Sequence, residues 1–319
     1  MKVHSDINNL PSFKNAVVTI GTFDGVHAGH RKIIGQLISE ARKNEGESII
    51  ITFHPHPKQV VGSHAQPIHL LTTIAERTQL LETLGLDHLV VVPFDLHFSN
   101  LSAREYVEEF LLKKFSPHTL IIGFDHRFGK GRTGDFHLLE QYALDGKFHL
   151  VEISQHIIHE MKVSSTRIRE ELNKGNVDEA NELLGYTYFF SGTVVTGDQI
   201  GRTIGYPTAN VKMENDEKLL PAKGIYAVFA RVNDADAQLH KGMMSIGIRP
   251  TVGGTKQVTE VYLFDFNRDI YGRQLEVFVV KRLRDEVHFP DLPALTKQID
   301  QDAQDSLLVL AAKDALKTI

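Results

Sequence analysis

The sequence predicts an α/β unit, a parallel sheet with helices on both faces, followed by a small antiparallel β-barrel with a C-terminal helix. Three observations lead there. In the first half, short β-favouring runs alternate with helical apolar spacing. After Tyr186 the texture changes to strand-like runs separated by glycines and prolines. A single helical stretch, roughly Asp291 to Leu316, closes the chain. The 319 residues suffice for two domains with separate cores, assigned to residues 1–185 and 186–319.

The first unit is organised around Val17 to Lys43. Val17, Val18, Thr19 and Ile20 form a strand, and a loop with Gly21, Gly25 and Gly29 follows. Ile33, Ile34, Leu37, Ile38 and Ala41 then repeat at helical spacing. His27 and His30 stand three apart where that helix begins, so they share a face. The first turn of a helix offers unpaired N–H groups and the positive end of its dipole. The expected result is a polyphosphate pocket with two imidazoles aimed into it.

Strands are expected at Ser48–Phe53, His88–Val92, Thr119–Ile122 and Phe148–Ile153. Thr73 with Glu76 forms a capping box for a helix to Leu84, stopped by Gly85, and Ser102 with Glu105 caps a second helix to Lys114. A third helix spans His137 to Asp145. In such a sheet, ligands bind beyond the carboxyl ends of the strands. Three polar clusters fall there. HPHP, His54 to Pro57, is a stiff turn placed near the site without a role. Gly123 to Asp135 is a glycine loop carrying Asp125, Arg127 and Lys130. Its GKGRTG does not sit in a tight strand-to-helix turn, which argues against a dinucleotide fingerprint. Its GFDHRFGKG has five residues between glycines where a P-loop needs four. In Val163 to Leu172, Ser164 or Ser165 is expected to cap a helix beginning near Thr166.

Composition is that of a globular protein, 42 % hydrophobic and 24 % charged, with a net charge of −5. Nothing points to a nucleic-acid or membrane partner. The absence of cysteine excludes disulfides, thiolate metal sites and a cysteine nucleophile. The N-terminal stretch lacks the apolar core of a signal peptide, and no apolar run reaches spanning length, so a cytoplasmic protein is expected.

A last helix, VDEANELL, ends the first half at Gly185. Strand-like runs follow at Tyr188–Thr196, Ile225–Val232, Gly242–Ile248, Thr259–Phe266 and Leu275–Val280. Between the first two lies GDQIGRTIGYPTANV. Pro207 holds Tyr206 extended, so Thr208 and Asn210, two apart, put both oxygens on one side of a strand. That pair suits a hard cation such as Mg²⁺, completed by nucleotide phosphates and water. Glu260 lies in an apolar strand, where burial raises a carboxyl pKa and suits a catalytic base.

Gly21 to His30, GTFDGVHAGH, resembles the HxGH nucleotidylyltransferase superfamily in the form found in bacterial FAD synthetases. The resemblance implies ATP and phosphate binding by Gly21, Thr22, Phe23, Asp24 and Gly29, with His27 and His30 catalytic. VSSTRIR resembles the family's phosphate-binding segment at a helix start, through Ser164, Ser165, Thr166 and Arg169. The glycine loop resembles its G-x-[DN]-[FY]-x-[FY]-G segment, which implies flavin contacts from Asp125, His126 and Phe128. His126 departs from the usual aromatic residue there, which weakens a stacking argument. GRTIGYPTAN resembles the riboflavin kinase signature, with MSIGIRPTVGG, TEVYLFDFNRDIYGRQL and Leu283 to Phe289 continuing the match. It implies ATP binding by Gly197, Gly201, Arg202 and Thr203, Mg²⁺ at Thr208 and Asn210, Glu260 as base and a flavin contact from Arg284. Ile200 stands where the family usually has arginine.

The whole pattern resembles the bifunctional enzymes that make FMN from riboflavin and ATP, then FAD from FMN and ATP. Two other readings stay open on the residues alone. HxGH does not name its acceptor, so the first half fits a nucleotidylyltransferase for another phosphate ester. A non-catalytic flavin-binding regulator is the other. Self-association is not determined by the sequence.

Overall fold

A computed structural model describes residues 1–61, 69–197, 200–233, 238–251 and 254–312, with the side chains at 160–163, 200, 249–251 and 254–256 left out of the description. Two compact units divide the chain, Met1–Ser165 and Thr166–Ile319.

The first unit contains β1 (Lys2–His4), β2 (Val17–Ile20), β3 (Ser48–His54), β4 (His88–Pro93), β5 (Thr119–Gly123) and β6 (His149–Ile153). They form one parallel sheet in the order β1-β4-β3-β2-β5-β6. The expected α/β class is therefore observed. The chain builds outward from β2 through β3 to β4, then returns to the other side of β2 for β5 and β6. Strand order reverses between β2 and β5, and there the loops diverge and leave a crevice. Helix α1 (Ala28–Lys43) packs against β2 and β3, burying Ile33, Ile34, Leu37 and Ala41. Val18, Ile20, Ile49, Ile51, Leu120 and Ile122 share a core with Phe98, Tyr106, Phe110, Phe115, Phe128 and Phe148. Their alternation along each strand reflects the period of two.

Short α2 (Pro57–Val61) follows HPHP at the end of β3, and α3 (Ile74–Glu82) begins at the expected capping box. After α4 (Leu96–Ser99), the expected helix from Ser102 is a composite of α5 (Ala103–Glu105), a π-helical stretch (Tyr106–Leu112) and α6 (Lys113–Phe115). Its buried residues Tyr106, Val107, Phe110 and Leu111 keep a helical stripe toward the aromatic core. Then come α7 (Phe136–Leu144), α8 (Gln155–Lys174) and α9 (Val177–Leu184).

The start of α8 corrects the sequence expectation. The helix begins at Gln155, so Ser164 and Ser165 lie in its interior and Thr166 does not open it. Ser154 Oγ instead accepts from the Ile157 N–H at 3.4 Å. Serine suits both a cap and an exposed helix interior, and Ile157, Ile158, Ile168 and Leu172 already carry helical periodicity across the pair.

The second unit is the expected barrel. Strands β7 (Phe189–Val195), β8 (Ala209–Met213), β9 (Gly224–Val232), β10 (Leu239–Thr251), β11 (Gly254–Leu263) and β12 (Gln274–Arg284) close in the order β10-β11-β8-β7-β12-β9, all antiparallel. One-turn α10 (Ile200–Thr203) precedes β8, and α11 (Leu292–Ala312) packs on β9, β10 and β12.

Texture changes near Tyr186, whereas the compact units divide at Ser165. The interval holds the end of α8 and then helix α9. The latter buries Val177, Ala180 and Leu184 and packs on β12, where Asn181 Nδ2 donates to the Val279 carbonyl at 3.0 Å and Asn181 Oδ1 accepts from the Tyr188 N–H at 2.7 Å. A fragment beginning at Thr166 is therefore expected to unfold at higher urea than one beginning at Tyr186, by about 3 kcal/mol or more from three apolar side chains. Equal midpoints in urea titrations of the two fragments would show that α9 contributes nothing to the barrel.

Candidate active sites

The loop after β2 is held from below by a buried charge pair. Asp24 is 3 % exposed and Arg77 2 %, with Arg77 Nη2 3.6 Å from Asp24 Oδ1. The Asp24 carboxylate also accepts from the backbone N–H groups of Leu71, at 3.0 Å, and Thr72, at 2.9 Å. Arg77 Nη1 donates to Thr52 Oγ1, which donates to the Thr22 carbonyl. Gly25 N–H donates to Thr72 Oγ1 at 2.9 Å. These bonds hold a loop with three residues at positive φ, Phe23 (47°), Gly25 (84°) and Val26 (37°). Val26 is β-branched, so its left-handed backbone must be imposed by its surroundings. Asp24, expected at phosphate, thus has its carboxylate turned into the protein as the anchor of the loop.

His27 is the N-cap of α1. Its Nδ1 accepts from the His30 N–H at 3.3 Å, so in the neutral ring the proton sits on Nε2, facing Ser165 Oγ at 2.7 Å. The rings of His27 and His30 stack at 3.8 Å between centroids, 16° from parallel. His27 is fully buried and His30 is 5 % exposed. A cavity of about 200 Å³ opens beside them, lined by Gly21, Thr22, Phe23, His30, Asp125 and His126, among others. It occupies the crevice between the β2 and β5 loops. His30 is on its wall, whereas His27 backs His30 from behind. Gly29 is buried in the first turn of α1.

His126 is half-buried and stacks on Phe128, which stacks on Tyr106. Burial pushes its pKa down to about 4, partly opposed by the Asp125 carboxylate. Near neutral pH the ring is therefore uncharged, and an uncharged imidazole presents a flat π face as an aromatic side chain does. Phe128 lies in the core rather than on the cavity wall, supporting His126. The GKGRTG segment is no strand-to-helix phosphate turn: Phe128 and Gly134 exchange backbone hydrogen bonds across it. HPHP ends β3, with His54 and Pro55 exposed. Ser164 and Ser165 are half-buried on α8, with exposed Thr166 and half-buried Arg169 farther along it.

In the barrel, β8 and β11 are paired with Asn210 opposite Glu260, while Ser245 of β10 lies opposite Glu260 on its other side. Directly opposed residues share a face, and Thr208 shares it with Asn210 two positions away. Half-buried Glu260 lines a cavity of about 280 Å³ together with Gly201, Tyr206, Thr208 and Arg284. A second cavity, about 380 Å³, is lined by Arg202, Pro207, Thr208 and the segment Phe266 to Tyr271. Thr208 belongs to both. Gly197 lies against the Asn210 amide, and a Cβ there would collide with it. Arg202 and Thr203 are exposed on α10. Asp198, Gln199 and the Ile200 side chain, where the sequence departs from the family pattern, lie outside the described residues.

The FAD synthetase family profile matches residues 10–167, and the riboflavin kinase profile matches residues 184–310. The bifunctional riboflavin kinase/FMN adenylyltransferase of Listeria monocytogenes is 38 % identical over 293 residues, 92 % of this chain and 91 % of that protein. Its Escherichia coli K12 namesake is 37 % identical over 304 residues, 95 % of this chain and 96 % of that one. The chain belongs to the bifunctional riboflavin kinase/FMN adenylyltransferase family. A crystal structure from Streptococcus pneumoniae, described as a macrolide-efflux protein, superposes with a TM-score of 0.82 at 30 % identity, covering 96 % of this chain and 98 % of that one. Among the described residues here, no helix is long and apolar enough to cross a membrane.

Within this family frame, sequence reasoning missed the wall from Phe266 to Tyr271, the cavity-lining residues of α11 and the internal role of Asp24. The DFNRDIYG string was visible in the sequence, but its placement beside Thr208 depends on the β11–β8 pairing.

Asp24→Ala should lower stability by about 3–5 kcal/mol, because it leaves the buried Arg77 guanidinium without its carboxylate; chemical denaturation measures this. His126 gives a pH signature. Its folded pKa is below the unfolded 6.5, so between these values the unfolded chain binds a proton the native state refuses. Stability should fall as pH drops from 6.5 toward about 4, and His126→Phe should flatten that part of the profile in denaturation curves.

Proposed function

We propose that the barrel unit phosphorylates riboflavin and that the parallel-sheet unit adenylylates FMN, so one chain carries out both ATP-dependent steps from riboflavin to FAD. The observation that carries this reading is the convergence of Glu260, Thr208 and Asn210 on one face of the barrel, between two cavities that share Thr208.

In the kinase step, the flavin occupies the cavity that holds Glu260 and Arg284, and the nucleotide occupies the one lined by Arg202 and Phe266 to Tyr271. Thr208 Oγ1 and the Asn210 side-chain carbonyl are hard oxygen donors on the same face, which fits Mg²⁺ sharing its other positions with phosphate and water. When bound, Mg²⁺ neutralises charge on the phosphates. Glu260 accepts the proton of the ribityl 5′-hydroxyl as its oxygen bonds to the γ-phosphorus, and the bond to the ADP oxygen breaks. Gly197 leaves room for the Asn210 amide to stay in place.

In the adenylyl step, a phosphate oxygen of FMN attacks the α-phosphorus of ATP and pyrophosphate leaves, so no enzyme nucleophile is required. The start of α1 lies beside the cavity, where the positive end of its dipole favours phosphate, and His30 on the cavity wall stabilises charge building on the transferring phosphate. His27 fixes the His30 ring by stacking and by capping the helix, and the His30 N–H bound at its Nδ1 sets the tautomer that faces Ser165. Gly21, Thr22 and Phe23 form the floor against the phosphates. Asp125 and His126 form the flavin side, with neutral His126 offering its face to the ring system. Ser164, Thr166 and Arg169 are assigned to phosphate on the strength of the family motif. A cytoplasmic setting, where ATP and magnesium are supplied together, completes the reading.

His30→Ala should cut FAD formation from supplied FMN by about 10²–10³-fold while FMN formation continues. Glu260→Gln should slow riboflavin phosphorylation by about 10²–10⁴-fold and leave adenylylation of supplied FMN intact. Chromatography of flavin products after incubation with riboflavin or FMN, ATP and Mg²⁺ reads both. Loss of both activities in either variant would refute the division of labour.

A further inference from the structure

Arg284 lines the cavity that contains Glu260, and its guanidinium is held by hydrogen bonds. Nε donates to Asp302 Oδ1 at 2.8 Å and Nη2 to Asp302 Oδ2 at 2.6 Å, a two-point fork. Nη1 donates to the Asp285 carbonyl at 2.8 Å, and the guanidinium carbon sits 5.8 Å from the centre of the Phe289 ring. Asp302 is 3 % exposed, lines the same cavity from α11, and also accepts from Gln298 Nε2 at 3.0 Å. A guanidinium carries five N–H groups. Three are engaged by these bonds, which leaves two without a partner among the described residues. Arg284 is also the one cation among the described residues lining this cavity, which holds the carboxylates of Glu260 and Glu286 as well.

We propose that Asp302 is a positioning residue for flavin recognition: it locks the Arg284 plane so that the two remaining N–H groups meet the carbonyl oxygens on the pyrimidine edge of the flavin ring. The inference rests on the kinase reading above and deepens it. A buried ion pair contributes little net stability compared with apolar packing, so a staple between helix and barrel does not call for one. A cavity wall that must present fixed donors does. Holding the fork in advance avoids ordering a long side chain when the ligand arrives. Leu295 and Ile299, two turns and one turn before Asp302 on the same face of α11, give the flavin an apolar wall beside the polar one.

The test is steady-state riboflavin phosphorylation by the full chain. Asp302→Asn keeps the shape but turns an amide toward the guanidinium. It should raise the riboflavin KM about tenfold or more, with kcat within about threefold and the ATP KM within about twofold. Arg284→Lys keeps a charge for Asp302 but loses the planar fork, so it should raise the riboflavin KM as well. The double variant should be no worse than the poorer single, because the two residues act as one unit. A riboflavin KM unchanged in Asp302→Asn, an equal rise in the ATP KM, or additive effects in the double variant would each overturn the proposal. Should Asp302→Asn fail to fold, Arg284→Lys decides: an unchanged riboflavin KM there overturns it too. A native chain that makes no FMN would instead overturn the kinase reading itself.

Discussion

The barrel site depends on the register of one antiparallel pair. Asn210 of β8 and Glu260 of β11 are fifty positions apart in sequence and become neighbours only because Val261 meets Ala209 and Glu260 meets Asn210. Side chains alternate between faces along a strand, so a slip of one residue would send Glu260 to the opposite face from Thr208 and Asn210. The register is secured on both sides. β10 pairs with β11 over ten residues, and β7 pairs with β8 from Gly192 to Val195. Precision at the site therefore comes from long ladders away from it.

The parallel sheet reaches the same end by another route. Its crevice exists because β5 returns beside β2, and the two loops that border it come from those strands. Parallel pairing fixes where the loops start, but not their shape. Shape comes from the buried Asp24–Arg77 pair and the hydroxyls of Thr52 and Thr72, which hold a backbone run at positive φ. Gly21, Thr22 and Phe23 stay on the cavity wall while the acidic residue of the loop holds it from within.

Much of this was legible in the sequence where the signal is local. The β2–loop–α1 unit, both capping boxes and the change to short strands were readable because periodicity, caps and glycine punctuation act within a few residues. The proximity of Thr208 and Asn210 followed from alternation alone. Signals that depend on distant neighbours were not readable. Asp24 looked like a ligand because its partner, Arg77, lies on another element. Ser164 and Ser165 looked like caps because serine's preference does not reveal whether a helix is already under way. β1 is three residues long and gave no period to detect. Asp302 reads as one more polar residue on an amphipathic helix until Arg284 is set beside it.

The closure of the barrel has a consequence for how this molecule meets others. An open sheet presents a row of unsatisfied amides and carbonyls along its rim, a template on which a foreign segment can zip. Six strands joined in a ring leave little of such a rim among the described residues, chiefly where β11 runs past its two-residue pairing with β8. An assembly that engages this unit therefore relies mainly on side-chain shape and charge rather than on shared main-chain ladders.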